Sequence, residues 1–229
     1  IFLAGGDTTS YPGPPIFTIT ALGDNGAKKV GRSGAKKGDL ILVSGEIGDS
    51  FIGLQLLQKN NIKFSFDEDK ALINKFLIPN PRIDIGKMIV NYATSIIDIS
   101  DGLLADLDHI CKNSNVGADI YIKDIPFSKG AQNYINSNIF NHIALITGGD
   151  DYELLYTIDP KDINKIDDSS SIIGKITDGD GLSLYSTDNK LIEASEKFMG
   201  YKHFWIIYFF NRVLHYTLTS GMLATIFIN

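Results

Sequence analysis

Ile96-Ile97-Asp98-Ile99-Ser100-Asp101-Gly102-Leu103-Leu104 decides how this chain folds. An apolar, β-branched run ends on Asp98, and three residues later a second aspartate opens an amphipathic segment. Leu103, Leu104, Leu107, Ile110 and Cys111 recur at helical spacing, while Asp106, Asp108, Lys112 and Asn113 fall largely on the other face. The spacing predicts a strand that delivers Asp98 at its carboxyl end, then a helix that starts on Ser100-Asp101. Ser100 is placed to cap that helix, and Asp101 lies in the first turn, where the helix dipole favours an anion. Two carboxylates and the amides of a helix start then converge on one spot. Hard oxygen ligands suit Mg²⁺, and free amides at a helix start suit phosphates. The plainer reading keeps Ser100 and Asp101 as a cap and Asp98 as a strand-end residue.

Moving outward toward the amino terminus, Leu40-Ile41-Leu42-Val43-Ser44 reads as a buried strand. Helices are expected over Ser50–Gln58, Asp67–Leu77 and Arg82–Tyr92, with Pro79-Asn80-Pro81 as the breaker between the last two. Before them lies a glycine-rich basic loop, Gly26 to Gly38, with Lys28, Lys29, Arg32, Lys36 and Lys37. Such a charge run is either a solvated face or a contact for nucleotide phosphates. Phe17 to Leu22 alternates as a strand should. Gly5-Gly6-Asp7-Thr8-Thr9 is either a tight turn or a close backbone approach to a ligand, with a carboxylate beside it.

Moving the other way, Ala118–Ile122 reads as a strand, Ser128–Asn138 as a helix and Leu154–Ile158 as a strand. Thr147-Gly148-Gly149-Asp150-Asp151-Tyr152-Glu153, just before that last strand, either lines a site or makes a simple turn. Asp178-Gly179-Asp180-Gly181 resembles a calcium loop, but Asn189 stands where the bidentate glutamate belongs. It is expected to turn a hairpin between Ile172–Ile176 and Leu182–Tyr185, with Asp188-Asn189 turning the next one.

The 229 residues are 44% hydrophobic and 21% charged, enough for a soluble globular core. A net charge of −6 argues against a general nucleic-acid or anionic-membrane binder. The single cysteine, Cys111, excludes a disulfide framework, fits a reducing compartment and falls on a core stripe. The start at Ile1-Phe2-Leu3 is not a signal peptide and reads as a chain cut upstream. Trp205 to Asn229 is nearly all apolar. It has the length of a membrane span, yet Asn211, Arg212 and His215 near its middle would be costly in lipid. A packed terminal helix or non-native sequence fits it better.

Four blocks in order, with a fifth at 200–204, resemble thiamine-monophosphate kinase, within the superfamily that includes aminoimidazole ribonucleotide synthetase. They are Gly-Gly-Asp-Thr-Thr at 5–9, Arg-Ser-Gly-Ala at 32–35, Ile-Asp-Ile-Ser-Asp-Gly-Leu at 97–103 and Thr-Gly-Gly-Asp-Asp-Tyr-Glu-Leu at 147–154, followed by Gly-Tyr-Lys-His-Phe. The resemblance implies an α+β fold, a mixed α/β sandwich of the aminoimidazole ribonucleotide synthetase-like type, represented mostly by its C-terminal domain. Residues 1–24 would end an ATP- and metal-binding domain, 25–204 would form the C-terminal domain, and 205–229 an apolar tail. It further implies ATP contacts from Gly6, Asp7, Arg32 and Ser100, and Mg²⁺ ligands at Asp7, Asp98 and Asp101. Asp98 and Asp101 would be the catalytic pair, and Asp150 and Tyr201 would contact thiamine monophosphate. Asp150 stands where the family usually has glutamate.

The reaction implied is transfer of the γ-phosphoryl group of ATP onto thiamine monophosphate, in a cytoplasmic homodimer. Phosphoryl transfer needs positioning and charge neutralisation above all, which carboxylates, Mg²⁺ and an arginine supply. The alternatives are an inactive nucleotide-binding fragment, another member of the same ATP-binding superfamily, or a membrane-tethered interaction domain.

Overall fold

The computed structural model describes residues 4–20, 22, 28–58, 66–166 and 169–192. The expectations for Tyr201, for the 200–204 block and for the tail fall outside these residues. Among the described residues, no helix is long and apolar enough to cross a membrane.

Among the described residues, seven strands form one mixed sheet: β1 (Leu40–Val43), β2 (Ala93–Asp98), β3 (Gly117–Tyr121), β4 (Leu154–Ile158), β5 (Ser171–Thr177), β6 (Gly181–Tyr185) and β7 (Leu191–Ile192). Their order is β2-β4-β1-β5-β3-β6-β7. β4 runs antiparallel to both β1 and β2, β5 antiparallel to both β1 and β3, and β6 parallel to β3. Hence β1, β2, β3 and β6 all point the same way, and their carboxyl ends share one rim with the start of β4. That rim carries Asp98.

The described residues also form six α-helices, which complete the α+β architecture: α1 (Asp49–Leu57), α2 (Asp69–Leu77), α3 (Ile83–Ile89), α4 (Leu103–Ser114), α5 (Lys129–Asn136) and α6 (His142–Thr147). Alternation along β1 divides the core between the two faces of the sheet. Ile41 and Val43 pack with Leu103, Leu107 and Ile110 of α4, whereas Leu42 packs with Ile89 of α3 and Tyr156 of β4. Buried on both faces, β1 is apolar throughout, which is why its sequence does not alternate. A third cluster joins α1, α2, α5 and α6 through Ile52, Leu72, Tyr134 and Leu145. Cys111 is buried in the α4 core as expected, and burial pushes its thiol up to about 12.

Two expectations need correction, and one helix was not expected. The described residues of Phe17–Leu22 form no strand: Phe17, Ile19 and Leu22 are 88%, 93% and 93% exposed, and none of the described strands pairs with them. Alternation marks a half-buried ribbon, but a strand needs a neighbour to pair with. The Asp178–Gly181 turn does not close a hairpin, because β3 lies between β5 and β6. Gly117, at the start of β3, makes room for the crossing: a Cβ there would meet Thr177 Oγ1 at 2.9 Å and Gly181 O at 3.2 Å. Helix α6, with Asn141 accepting from Ala144 N as its cap, has too few residues for periodicity to announce it. The Asp188-Asn189 turn does join β6 to β7, with Asn189 left-handed at φ 57°.

Candidate active site

Asp98 is the last residue of β2 and pairs with Leu154, the first of β4. Beyond that rung the two chains stay zipped. Ile99 N donates to Glu153 O at 2.8 Å, Tyr152 N to Ile99 O at 2.8 Å and Asp150 N to Ser100 O at 3.0 Å. The blocks around Asp98 and around Asp150 are therefore two walls of one structure. Glycine makes the approach possible. A Cβ on Gly149 would lie 2.2 Å from Ser100 O, and one on Gly102, at φ +117°, would lie 2.7 Å from Thr147 O.

Ser100 does not cap α4. The helix starts at Leu103, with Gly102 in the cap position and no side-chain bond from it. The amides of Ser100 and Asp101 instead donate to one carboxylate oxygen of Asp106, each at 3.0 Å. The positive φ at Gly102 bends the chain before the helix begins, so the acceptor comes from within the helix's first turn rather than from the residue ahead of it. Asp106, expected on the polar face, is 2% exposed. Burial raises its pKa, the two amides pull it down, and the charges of Asp101 and Asp98 add to the rise.

A carboxylate oxygen from each of Asp101 and Asp106 and a ring nitrogen of His109 lie within 4.8 Å of one another. Among the described residues these three are the grouping of potential metal ligands. Asp98 is exposed and acts electrostatically on both Asp106 and Tyr152. Tyr152 sits over the same acids: its hydroxyl donates to Asp150 Oδ1 at 3.2 Å. Burial first, then the charge of Asp150, its hydrogen bond, and the charges of Asp98 and Asp101 raise the phenol's pKa. Asp98, Asp101, Asp106, Asp150 and Tyr152 thus share one rim.

Gly6 and Asp7 lie on the exposed segment 4–20, where the Asp7 carboxylate accepts from Thr8 N at 2.7 Å. Neither Asp7 nor Asp98 is part of the ligand grouping around Asp101. Arg32 is exposed on the basic loop, whose backbone is tied to β2: Ile96 N donates to Gly31 O at 2.9 Å, two residues upstream of Asp98. Gly34 and Ala35 amides, just after it, donate to Ser114 Oγ at the end of α4, each at 3.2 Å.

Beneath the rim is a buried ionic layer that motif reading does not single out. Glu153, 1% exposed, receives Arg82, Lys75 at 2.9 Å and Ser44 Oγ at 2.7 Å. Burial alone would raise its pKa, but these three partners outweigh it and hold the carboxyl below its ordinary value. Asp151 turns inward and takes the amides of Gly48 at 2.9 Å and Ser50 at 3.4 Å, at the start of α1. Burial pushes Asp151 up to about 8, and pushes its neighbour Asp49, which accepts from Ser128 Oγ, up to about 6. Of the residues in this layer and over the rim, Asp151, Tyr152 and Glu153 stood inside a quoted motif without being singled out. Asp106 and His109 carried only the signal of their i, i+3 spacing.

The family described as "AIR synthase related protein, C-terminal domain" matches residues 36–187. The chain belongs to that family. It is 40% identical over 211 residues to thiamine-monophosphate kinase of Buchnera aphidicola subsp. Schizaphis graminum, covering 88% of this chain and 64% of that protein. It is 42% identical over 161 residues to the Escherichia coli K12 protein of the same name, covering 68% and 47%. Among solved structures, AaThiL complexed with AMPPCP and TMP superposes with a TM-score of 0.65 at 36% identity, over 76% of this chain and 54% of that one. The chain therefore spans about half to two thirds of these relatives. The family match begins in the basic loop and ends after β6, so both walls of the site lie within it.

Proposed function

We propose that the chain carries the acidic site of a thiamine-monophosphate kinase, which transfers the γ-phosphoryl group of ATP to the phosphate of thiamine monophosphate. The observation that carries this reading is the convergence of Asp98 and Asp101 with Asp150 and Tyr152 on one rim, zipped by three backbone hydrogen bonds. Support comes from the relatives of that name and from a neighbour solved with both AMPPCP, a nucleotide analogue, and TMP.

The donor set fits a hard cation: carboxylate oxygens dominate, and several are exposed or half-buried. Asp98 and Asp101 would hold Mg²⁺, with Asp7 as a further ligand; when bound, the ion neutralises phosphate charge. Arg32, on a loop fastened to β2, would bind the nucleotide, together with Gly6 and Ser100. Asp150 and Tyr201 would contact thiamine monophosphate. In the reaction a phosphate oxygen of the acceptor forms a bond to the γ-phosphorus, and the bond to the departing ADP oxygen breaks. The acceptor is already anionic, so no strong base is required. The division into 1–24, 25–204 and 205–229, the cytoplasmic location and the homodimer belong to the same proposal.

The test is ADP formation by the purified chain with ATP, Mg²⁺ and thiamine monophosphate. ADP release that depends on thiamine monophosphate supports the kinase. Nucleotide binding without turnover supports an inactive nucleotide-binding fragment instead, a reading favoured by the placement of Asp7 and Asp98 outside the grouping that holds Asp101. Absence of both binding and turnover overturns the proposal.

A further inference from the structure

Tyr152 combines a bulky side chain with a left-handed backbone. Its φ is 52°, and that of Asp150, two residues earlier, is 67°. The left-handed basin crowds Cβ against the following carbonyl oxygen, so each such residue is strained relative to the ordinary one. Strain of this kind persists only where the surroundings over-determine it, and it gathers at ligand sites. The surroundings do so here. Tyr152 N is held by Ile99 O and Asp150 N by Ser100 O, while Glu153 is locked beneath by Arg82, Lys75 and Ser44. What the two turns achieve is a meeting of side chains: Tyr152 remains 38% exposed, and its hydroxyl donates to Asp150 Oδ1 at 3.2 Å. Asp151, between them, is sent inward to α1. Three consecutive residues thus divide into two that face the rim and one that anchors the loop.

We propose that Tyr152 is a positioning residue for the phosphate acceptor: its phenol O–H holds the Asp150 carboxylate in the orientation that contacts thiamine monophosphate. The inference rests on the kinase reading and adds a residue to it. A free carboxylate at Asp150 would sample several rotamers and present either oxygen. The phenol occupies Oδ1 and leaves Oδ2 for the ligand or a bridging water. Aspartate is one methylene shorter than the usual glutamate of its family, so fixing its direction matters more at this position.

The test is calorimetric titration of thiamine monophosphate, in the presence of Mg²⁺ and a non-hydrolysable ATP analogue, into four forms of the full chain. These are the unaltered protein, Tyr152→Phe, Asp150→Asn and the double variant. Tyr152→Phe keeps the ring and the backbone, so the melting temperature is expected to stay unchanged while affinity for thiamine monophosphate falls about fivefold. Nucleotide affinity is expected to change less than twofold. Because the phenol acts through Asp150, adding Tyr152→Phe to Asp150→Asn should cost nothing further. Affinity within twofold of the unaltered chain in Tyr152→Phe, or additive losses in the double variant, overturns the inference and leaves the kinase reading standing. If the unaltered chain binds neither nucleotide nor thiamine monophosphate, the kinase reading falls and takes the inference with it.

Discussion

Gly149→Ala should separate the two walls of the site. A Cβ at this position would stand 2.2 Å from Ser100 O, 3.2 Å from Ser100 C and 3.4 Å from Asp101 C. Carbon and carbonyl oxygen settle at about 3.3 Å even in close contacts, so the loops must part by roughly 1 Å. All three opposing atoms are backbone, so no side-chain rotation relieves the clash. Parting by that much takes the Asp150 N–Ser100 O and Tyr152 N–Ile99 O bonds, at 3.0 and 2.8 Å, out of hydrogen-bonding range. Two bonds at about 1 kcal/mol each, with about 1 kcal/mol of residual strain, give a loss of about 3 kcal/mol. Urea unfolding followed by circular dichroism measures it as a lower midpoint at unchanged slope. Nucleotide affinity should fall with it, since the clash displaces the backbone of Ser100 and Asp101, the residues proposed to hold nucleotide and Mg²⁺. A variant within about 0.5 kcal/mol of the parent, with nucleotide binding intact, refutes the interlocked-loop geometry.

Glu153→Gln leaves Arg82 and Lys75 facing a neutral amide. Because both cations are partly exposed, the loss is expected near 2 kcal/mol rather than the larger figure for a fully buried pair, measured by the same unfolding assay. The Glu153 carboxyl is held below its ordinary value, so its contribution is present above the unfolded pKa and lost as pH falls through the lower folded one; the variant should flatten the acid limb of the stability curve. Asp151 has the opposite sign. Its folded pKa is about 8 against an ordinary 3.8, so its stabilisation is full in acid and drains away as pH rises through that window. Asp151→Asn, which still accepts from Gly48 N and carries no charge, should therefore match the parent near pH 4 and exceed it in melting temperature at pH 8 to 9.

The central strand–helix pair was legible because its signals are local. Ile96 and Ile97 are β-branched and lead into Asp98, and Leu103, Leu104, Leu107, Ile110 and Cys111 form a stripe that the fold buries. The Asp98 position at the end of β2 followed directly from these. What the sequence could not show depends on residues far apart along the chain. Asp106 accepts from the Ser100 and Asp101 amides because the chain turns at Gly102, against which the 147–148 backbone packs, and helical periodicity records neither. The β5–β3–β6 order depends on β3 reaching its slot, so two strands joined by a short glycine turn looked like a hairpin. Phe17–Leu22 had the alternation of a strand and no strand to join. Whether Thr147–Glu153 was a turn or a wall of the site could be decided only once Gly149 was seen against Ser100.

Titration of Mg²⁺ with a non-hydrolysable adenine nucleotide into the unaltered chain and into Asp98→Asn bears most directly on the acidic rim as a nucleotide site. Asp98 is exposed at the strand end, so the substitution should leave the melting temperature unchanged while weakening Mg²⁺-dependent binding at least tenfold. Equal Mg²⁺-dependent affinity in the two proteins would contradict it.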